Sequence, residues 1–472
     1  MKVEQIYTGC LAQGAYYVES NGECVIIDPL REVGPYIEKA DAAGVKIKYI
    51  LETHFHADFV SGHLELSKKT GAPIVYGPTA KPSFEAIVAT DGQILEVGDV
   101  KIKVLHTPGH TMESTTYLLF DENGKEHCIF SGDTLFIGDV GRPDLAQKSD
   151  LTIQDLAGFL FDSLRNKIMT LPDEIIVYPA HGAGSACGKN MSKETFDTLG
   201  NQKLYNYALR SNMTKEEFVF EVTDGLELVP PPYYFPKNVM INKTGAKDLD
   251  QVKASAQPLS VAAFEAAANE TGAIIIDTRP QQTFKDGFIP NSIFIGIKGD
   301  FAPWVGTLLT DIDQPILLVT EEEMTEEVIT RLSRVGYDNI IGYLEGGFES
   351  WKASGKEVDT IISISAKEFS ERFKASEGKL VVKDVRKPTE YMAEHVDEAM
   401  NIPLANLSKN MVEFSKDEDN YLHCASGYRS MIAASILKSR GFDNIVEIAG
   451  GFKAITETEI PRTDYVCQSK MK

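Results

Sequence analysis

Thr53–His63 reads T-H-F-H-A-D-F-V-S-G-H. It comes directly after Tyr49–Glu52, an apolar run with the length and composition of a short strand. Three further clusters follow in the same way. His106–Thr111 (HTPGHT), Ser131–Thr134 (SGDT) and Pro179–Gly182 (PAHG) each succeed a short apolar run. A lone histidine says little, because most are surface or core residues. Four His/Asp clusters at four strand ends are different, since a metal ion is the economical reason to gather several imidazoles and carboxylates.

Outward from these clusters, residues up to about 240 alternate strands with polar turns. Ala15–Val18 and Cys24–Asp28 flank Asn21-Gly22, a hairpin signal. Ile102–His106, Thr116–Phe120, Cys128–Ser131 and Ile175–Tyr178 read as further strands, and Pro35–Ala43, Gly62–Thr70 and Thr152–Ile168 as helices. A rigid sheet that presents functional groups on the loops at its strand ends is the expected arrangement. The stretch from about Pro230 to Pro258, opened by Pro230-Pro231-Pro232, reads as a connecting segment. Beyond it lies an internal repeat. Ile274–Arg279 (IIIDTR) matches Val381–Arg386 (VVKDVR), and Gly336–Phe348 (GYDNIIGYLEGGF) matches Gly441–Phe452 (GFDNIVEIAGGF). Each copy has the order strand, helix, strand, helix, which implies a mostly parallel α/β domain.

A chain of 472 residues is long for one core, and about three domains are expected. The formal charge of -22 disfavours nucleic acid and anionic membrane as partners. The start, MKVEQIYTGCLAQG, has no basic segment followed by an apolar one, and no apolar run approaches the ~18 residues of a membrane span. Cys10, Cys24, Cys128, Cys187, Cys424 and Cys467 are scattered without CxxC pairs, as expected of reduced thiols in a cytoplasmic protein.

The series HxHxD, GHT, GDT and PAH over residues 1–245 resembles the metallo-β-lactamase fold, in its glyoxalase II-like branch. The resemblance implies an αββα sandwich with a metal at one edge. In two-metal members a further histidine follows HxHxD, whereas here that position is Phe59, which cannot ligate. The pattern is then similar to the persulfide dioxygenases, which use one non-haem Fe(II). That resemblance implies His54, His110 and Asp133 as the iron ligands, with one Fe(II) per chain and open positions for O2 and a substrate sulfur. It implies His56, Asp58 and His181 as outer groups that orient ligands and bound water, with ligation of a residual second metal as their other role. His63, His106 and His127 are expected to be structural. Gly138–Leu145 (GDVGRPDL) resembles a loop whose arginine contacts a thiol substrate, which makes Arg142 a candidate substrate contact; a surface salt bridge is the plainer role. Gly184–Lys189 (GSACGK) carries Cys187, which either relays a sulfane sulfur or is a small buried thiol.

His423–Ser430 reads H-C-A-S-G-Y-R-S between a strand and a helix. A thiol at such a turn receives backbone N–H groups and the positive end of the helix, and Arg429 adds a charge. Four residues separate Cys424 from Arg429, a tighter ring than a phosphate-enclosing loop with five. The segment resembles an active rhodanese domain with Cys424 as sulfur carrier, spanning 360–472. The other copy, 255–357, has Thr320 opposite Cys424, Thr325 opposite Arg429 and the anionic loop TEEEMTEE, so a rhodanese fold without sulfur transfer is expected, as spacer or docking surface.

The fold expected is therefore α/β throughout: an N-terminal αββα sandwich and two C-terminal α/β rhodanese-like domains. The order resembles persulfide dioxygenase–rhodanese fusions of sulfide detoxification. It implies a low-molecular-weight thiol persulfide, O2, sulfite and thiosulfate as small-molecule partners, and a homo-oligomer is expected. A dinuclear zinc thioester hydrolase of the glyoxalase II type is the alternative, and a non-catalytic sulfide sensor another; Phe59 weighs against the first and the intact ligand set and thiol loop against the second.

Overall fold

The computed structural model describes residues 1–145, 151–226 and 231–466; Pro230 and Cys467 lie outside them. Two compact units emerge. The first comprises Met1–Gln251 with Leu309–Ile312 and Thr330–Asp338, and the second Val252–Leu308, Asp313–Ile329 and Asn339–Lys472.

The first unit holds two six-stranded sheets. One has the order β1 (Lys2–Thr8), β2 (Gln13–Ser20), β3 (Glu23–Ile27), β4 (Lys46–Leu51), β5 (Ile74–Tyr76), β6 (Ile87–Val88). The other runs through β7 (Ile94–Val97), β8 (Val100–His106), β9 (Thr115–Phe120), β10 (Glu126–Gly132), β11 (Ile176–Pro179) and β12 (Asp197–Thr198), with β7 and β12 at its edges. The period-2 alternation of strand side chains explains the layering. Tyr16, Val18, Val25 and Ile27 face Ile102, Val104, Tyr117 and Leu119 between the sheets. Their neighbours Ala15, Tyr17 and Ile26 turn outward beneath the helices Gly34–Ala43 and His63–Thr70. On the far side Leu118 and Ile129 pack against Leu160 and Leu164, the former on the helix Ile153–Ser163 and the latter in the wider turn Leu164–Ile168 that extends it. This is the αββα sandwich. The β2–β3 hairpin turns on Asn21 (φ 41°) and Gly22 (φ 80°), the left-handed pair that such a turn requires.

Residues 231–258, expected as a connecting segment, carry regular structure. They form the helices Phe235–Thr244 and Leu249–Ser255 and then β13 (Gln257–Leu259). Asn242 is the reason the first of these is fixed. Its Nδ2 donates to the carbonyls of His56 (2.8 Å) and Phe59 (2.7 Å), and its Oδ1 accepts from the Ser61 N–H (2.8 Å). The residue thereby holds the loop that carries the HxHxD motif. Asn242→Ala would strand three buried backbone groups, and a loss of about 3 kcal/mol is expected. Urea denaturation followed in the first unit measures it, and a change below about 0.5 kcal/mol, the level of an ordinary surface substitution, would refute this role. Arg31, buried in the same unit, forks onto Asp338 (2.6 and 2.7 Å) and donates to the carbonyls of Ser333 and Lys247.

The second unit contains two parallel sheets of identical order. The first is β13, β17 (Ile340–Leu344), β16 (Ile316–Val319), β14 (Ile274–Asp277) and β15 (Ile293–Phe294). The second is β18 (Ile362–Ser365), β22 (Ile445–Ala449), β21 (Asn420–His423), β19 (Val381–Asp384) and β20 (Met400–Asn401). The repeat extends to side chains. Arg279 pairs with Asp277 and lies 4.1 Å from the Phe348 ring, and Arg386 pairs with Asp384 and lies 3.9 Å from the Phe452 ring. One apolar cluster joins Phe284, Phe288 and Phe294 of the first copy to Leu422, Met431 and Ile432 of the second. Among the described residues no helix is long and apolar enough to cross a membrane, and Cys10, Cys24, Cys128, Cys187 and Cys424 are free thiols.

Candidate functional site

The four clusters meet at one edge of the sandwich. His54, His56 and Asp58 lie on the loop after β4, His110 between β8 and β9, Asp133 immediately after β10, and His181 after β11. All six are buried. His54 Nε2 stands 3.8 Å and His110 Nε2 3.4 Å from Asp133 Oδ2, and one ligating atom from each of the three lies within 4.8 Å of the others. Among the described residues His54 Nε2 and Asp133 Oδ2 have no hydrogen-bond partner. Buried polar atoms left in that state are costly, so their convergence fits a cation. His110 Nδ1–H donates to the Arg142 carbonyl (2.8 Å), which directs the Nε2 lone pair inward. Gly141 permits this approach, because a Cβ there would stand 2.0 Å from the Asp133 carbonyl oxygen.

Electrostatics agree with a ligand set. Burial, with His56 and His110 nearby, drives His54 well below the ordinary imidazole range, so it stays neutral and offers a lone pair. Burial opposes the charge of Asp133, but its histidine neighbours, the His181 imidazolium first among them, outweigh it and hold the carboxylate ionised. His181 bridges Asp133 Oδ1 (Nδ1, 2.8 Å) and Asp58 Oδ2 (Nε2, 2.7 Å). Burial resists its protonation, yet the two carboxylates push it up to about 10.

His56 points elsewhere. Its ring stands 4.3 Å from that of Phe59, and its Nε2 lies 3.0 Å from Asp28 and 3.3 Å from Glu52. Those two carboxylates raise it well above its usual value against the pull of burial. Asp28 also accepts from the Thr53 N–H and hydroxyl, both at 2.8 Å, and so aligns the start of the motif. The sequence reading missed Asp28 and Glu52; their only signal was a carboxylate at the end of a strand. Cys187 does join the metal edge. Its thiol lies within 4.8 Å of the Asp58 and His181 ligating atoms, and burial, then Asp58 and Asp133, hold its proton on. Arg142 contributes its carbonyl to His110, while its guanidinium is buried and forks onto Asp144 (2.7 and 2.6 Å).

In the second unit Cys424 is buried where β21 meets the helix Tyr428–Lys438. Its sulfur accepts from the Gly427 N–H at 3.1 Å and lies 3.6 Å from Ser430 Oγ. Arg429 forks onto Glu390 (2.6 and 2.8 Å), so its charge is countered there. The repeated Gly-Gly-Phe clamps this loop, since Phe452 N–H donates to the Cys424 carbonyl at 2.6 Å. A Cβ on Gly451 would stand 2.4 Å from that same carbonyl oxygen. In the other copy Thr320 follows β16 as Cys424 follows β21, and its hydroxyl pairs with that of Thr325 at 2.6 Å.

Residues 8–181 match the metallo-β-lactamase superfamily, and residues 260–354 and 365–458 the rhodanese-like domain. A metallo-β-lactamase from Staphylococcus aureus subsp. aureus COL, known by crystal structure, is 32% identical with a TM-score of 0.63, covering 73% of this chain and 98% of that one. A probable hydroxyacylglutathione hydrolase of Schizosaccharomyces pombe is 30% identical over 166 residues, 34% of this chain, and the match spans only 60% of that relative's length. A second from the same organism, glo2, is 30% identical over 196 residues, 41% of this chain and 72% of that protein. With the sandwich, the buried His/Asp set at its edge and the paired parallel sheets beyond, the chain belongs to the metallo-β-lactamase superfamily, its metal-binding domain followed by two rhodanese-like domains.

Proposed function

We propose that this enzyme is a persulfide dioxygenase holding one Fe(II) per chain on His54, His110 and Asp133, coupled to sulfur transfer on Cys424. The observation that carries the reading is the three-residue ligand set, two imidazoles and one carboxylate, with His56 turned away onto Asp28 and Glu52. Iron held on these three residues would supply the redox chemistry that oxidation of a substrate sulfur by O2 needs. The surrounding residues do the rest. The Arg142 carbonyl fixes the His110 tautomer, and the His181 imidazolium keeps a proton between Asp133 and Asp58. The overall change is R-SSH + O2 + H2O → R-SH + SO3(2−) + 2H+. At the second site a persulfide on Cys424 gives its outer sulfur to sulfite, so that the S–S bond breaks, thiosulfate leaves and the thiolate returns. The Gly427 N–H stabilises the sulfur anion, and Arg429 maintains the loop through Glu390. Contact between Arg142 and an anionic thiol carrier requires the guanidinium to exchange Asp144 for the incoming carboxylate.

A second reading, thioester hydrolysis with two metal ions, draws on the hydroxyacylglutathione hydrolase relatives and on Asp58, His181 and Cys187 as a second buried donor group. Metal analysis and oxygen consumption separate the two. Anaerobically purified protein is expected to hold about one iron per chain, by the facial-ligand argument, and to consume O2 when given glutathione or coenzyme A persulfide. Two tightly held metals with thioester turnover and no oxygen use would favour the hydrolase.

A further inference from the structure

Ser430 carries one hydroxyl proton and faces three acceptors. Its Oγ lies 2.9 Å from Glu447 Oε1, 3.0 Å from the Gly427 carbonyl and 3.6 Å from Cys424 Sγ. Glu447, on β22, is buried under the thiol loop, and its other oxygen accepts from Ser363 Oγ of β18 at 2.6 Å. A carboxyl at this depth is otherwise unexplained, because it makes no ion pair among the described residues within 4 Å and sits between two hydroxyls. The chain supplies an internal control. Aligned through Gly-Gly-Phe, the copy without a thiol has Tyr343 in place of Glu447 and Glu326 in place of Ser430. The carboxyl and the hydroxyl accompany the cysteine.

We propose that Glu447 is a positioning residue for the sulfur on Cys424, acting through Ser430. When its carboxyl is protonated, Glu447 donates to Ser430 Oγ, and the Ser430 proton is left to turn toward the sulfur anion. When Glu447 is ionised it takes the Ser430 proton for its own hydrogen bond, and the sulfur loses a donor and gains a nearby negative charge. The proposal rests on the reading of Cys424 as a sulfur carrier. Burial supports it by raising the Glu447 carboxyl, against the lowering effects of Ser363, Ser430 and Lys285. Lys285, on the helix Gln281–Lys285, is the charged group facing Glu447; β18 and the helix Tyr428–Lys438 present hydroxyls.

The test uses the full chain. Alkylation of Cys424 and its uptake of sulfur from thiosulfate are followed by peptide mass from about pH 5 to pH 9, a range that takes in carboxyl and thiol titration. The wild type is expected to show a carboxyl inflection besides that of the thiol. Glu447→Gln, which stays neutral and keeps an N–H toward Ser430, should lose the carboxyl inflection and titrate as a single thiol at lower pH. Ser430→Ala should slow sulfur uptake by about tenfold, the usual size of a hydrogen bond to a charged group. In the Ser430→Ala background, Glu447→Gln should change nothing further. Superimposable profiles for wild type and Glu447→Gln would overturn the proposal, as would an undiminished Glu447→Gln effect without Ser430. A Cys424 that takes no sulfur at any pH sinks the carrier reading instead, while its alkylation profile still decides the role of Glu447.

Discussion

His110→Ala is expected to leave the protein without iron and to reduce oxygen uptake by more than about 100-fold, since loss of a mere orienting partner already costs about 10–100-fold in such sites. The substitution removes one of three converging donors and also the Nδ1–H that binds the Arg142 carbonyl. His181→Asn grades the effect. It deletes the imidazolium between Asp133 and Asp58 but no member of the ligand trio, and a fall of about 10–100-fold is expected. Sulfur uptake on Cys424 should survive both, because that loop belongs to the other compact unit. Iron content, oxygen electrode rates and Cys424 peptide mass read the three quantities. An His110→Ala protein that still holds iron and consumes oxygen at the wild-type rate would remove His110 from the ligand set.

Cys424→Ser is expected to abolish sulfur uptake from thiosulfate while oxygen consumption continues near the wild-type rate. Its product should shift from thiosulfate to sulfite, because the sulfite formed has no Cys424 persulfide to attack. Cys187→Ser should behave in the opposite way. Its thiol is buried beside Asp58, His181 and Asp133 and holds its proton there, so the substitution acts at the metal edge. Oxygen uptake should fall and loading of Cys424 by thiosulfate should remain. If instead Cys187→Ser leaves oxygen uptake intact and lowers only the thiosulfate yield, Cys187 is a sulfur relay. Unchanged thiosulfate from Cys424→Ser with intact oxygen uptake would take the last domain out of the pathway.

What the sequence by itself determined was set by short-range patterns. Short apolar runs between polar turns placed β2, β3, β4, β8, β9, β10 and β11 within a few residues of their observed bounds, and Asn21-Gly22 marked the hairpin, because run composition and turn geometry are local properties. The four His/Asp clusters were legible since each sits at the end of such a strand, and the repeat was legible as Asp-x-Arg and Gly-Gly-Phe. Tertiary structure decided the groups that meet across distant sequence. His54 and His56 are two residues apart, yet one turns to Asp133 and the other to Asp28 and Glu52, a choice made by which carboxylates the neighbouring strands deliver. Residues 231–258 looked like a connection because their polar and proline-rich composition hides one buried contact set, that of Asn242 with His56, Phe59 and Ser61. Arg429 found Glu390, 39 positions earlier, because a guanidinium withdrawn from solvent needs a carboxylate and only the folded chain selects which one. The placement of Ser430 between Cys424 and Glu447 belongs to the same class, for no spacing rule links a strand residue to a loop thiol that lies 23 positions earlier in the chain.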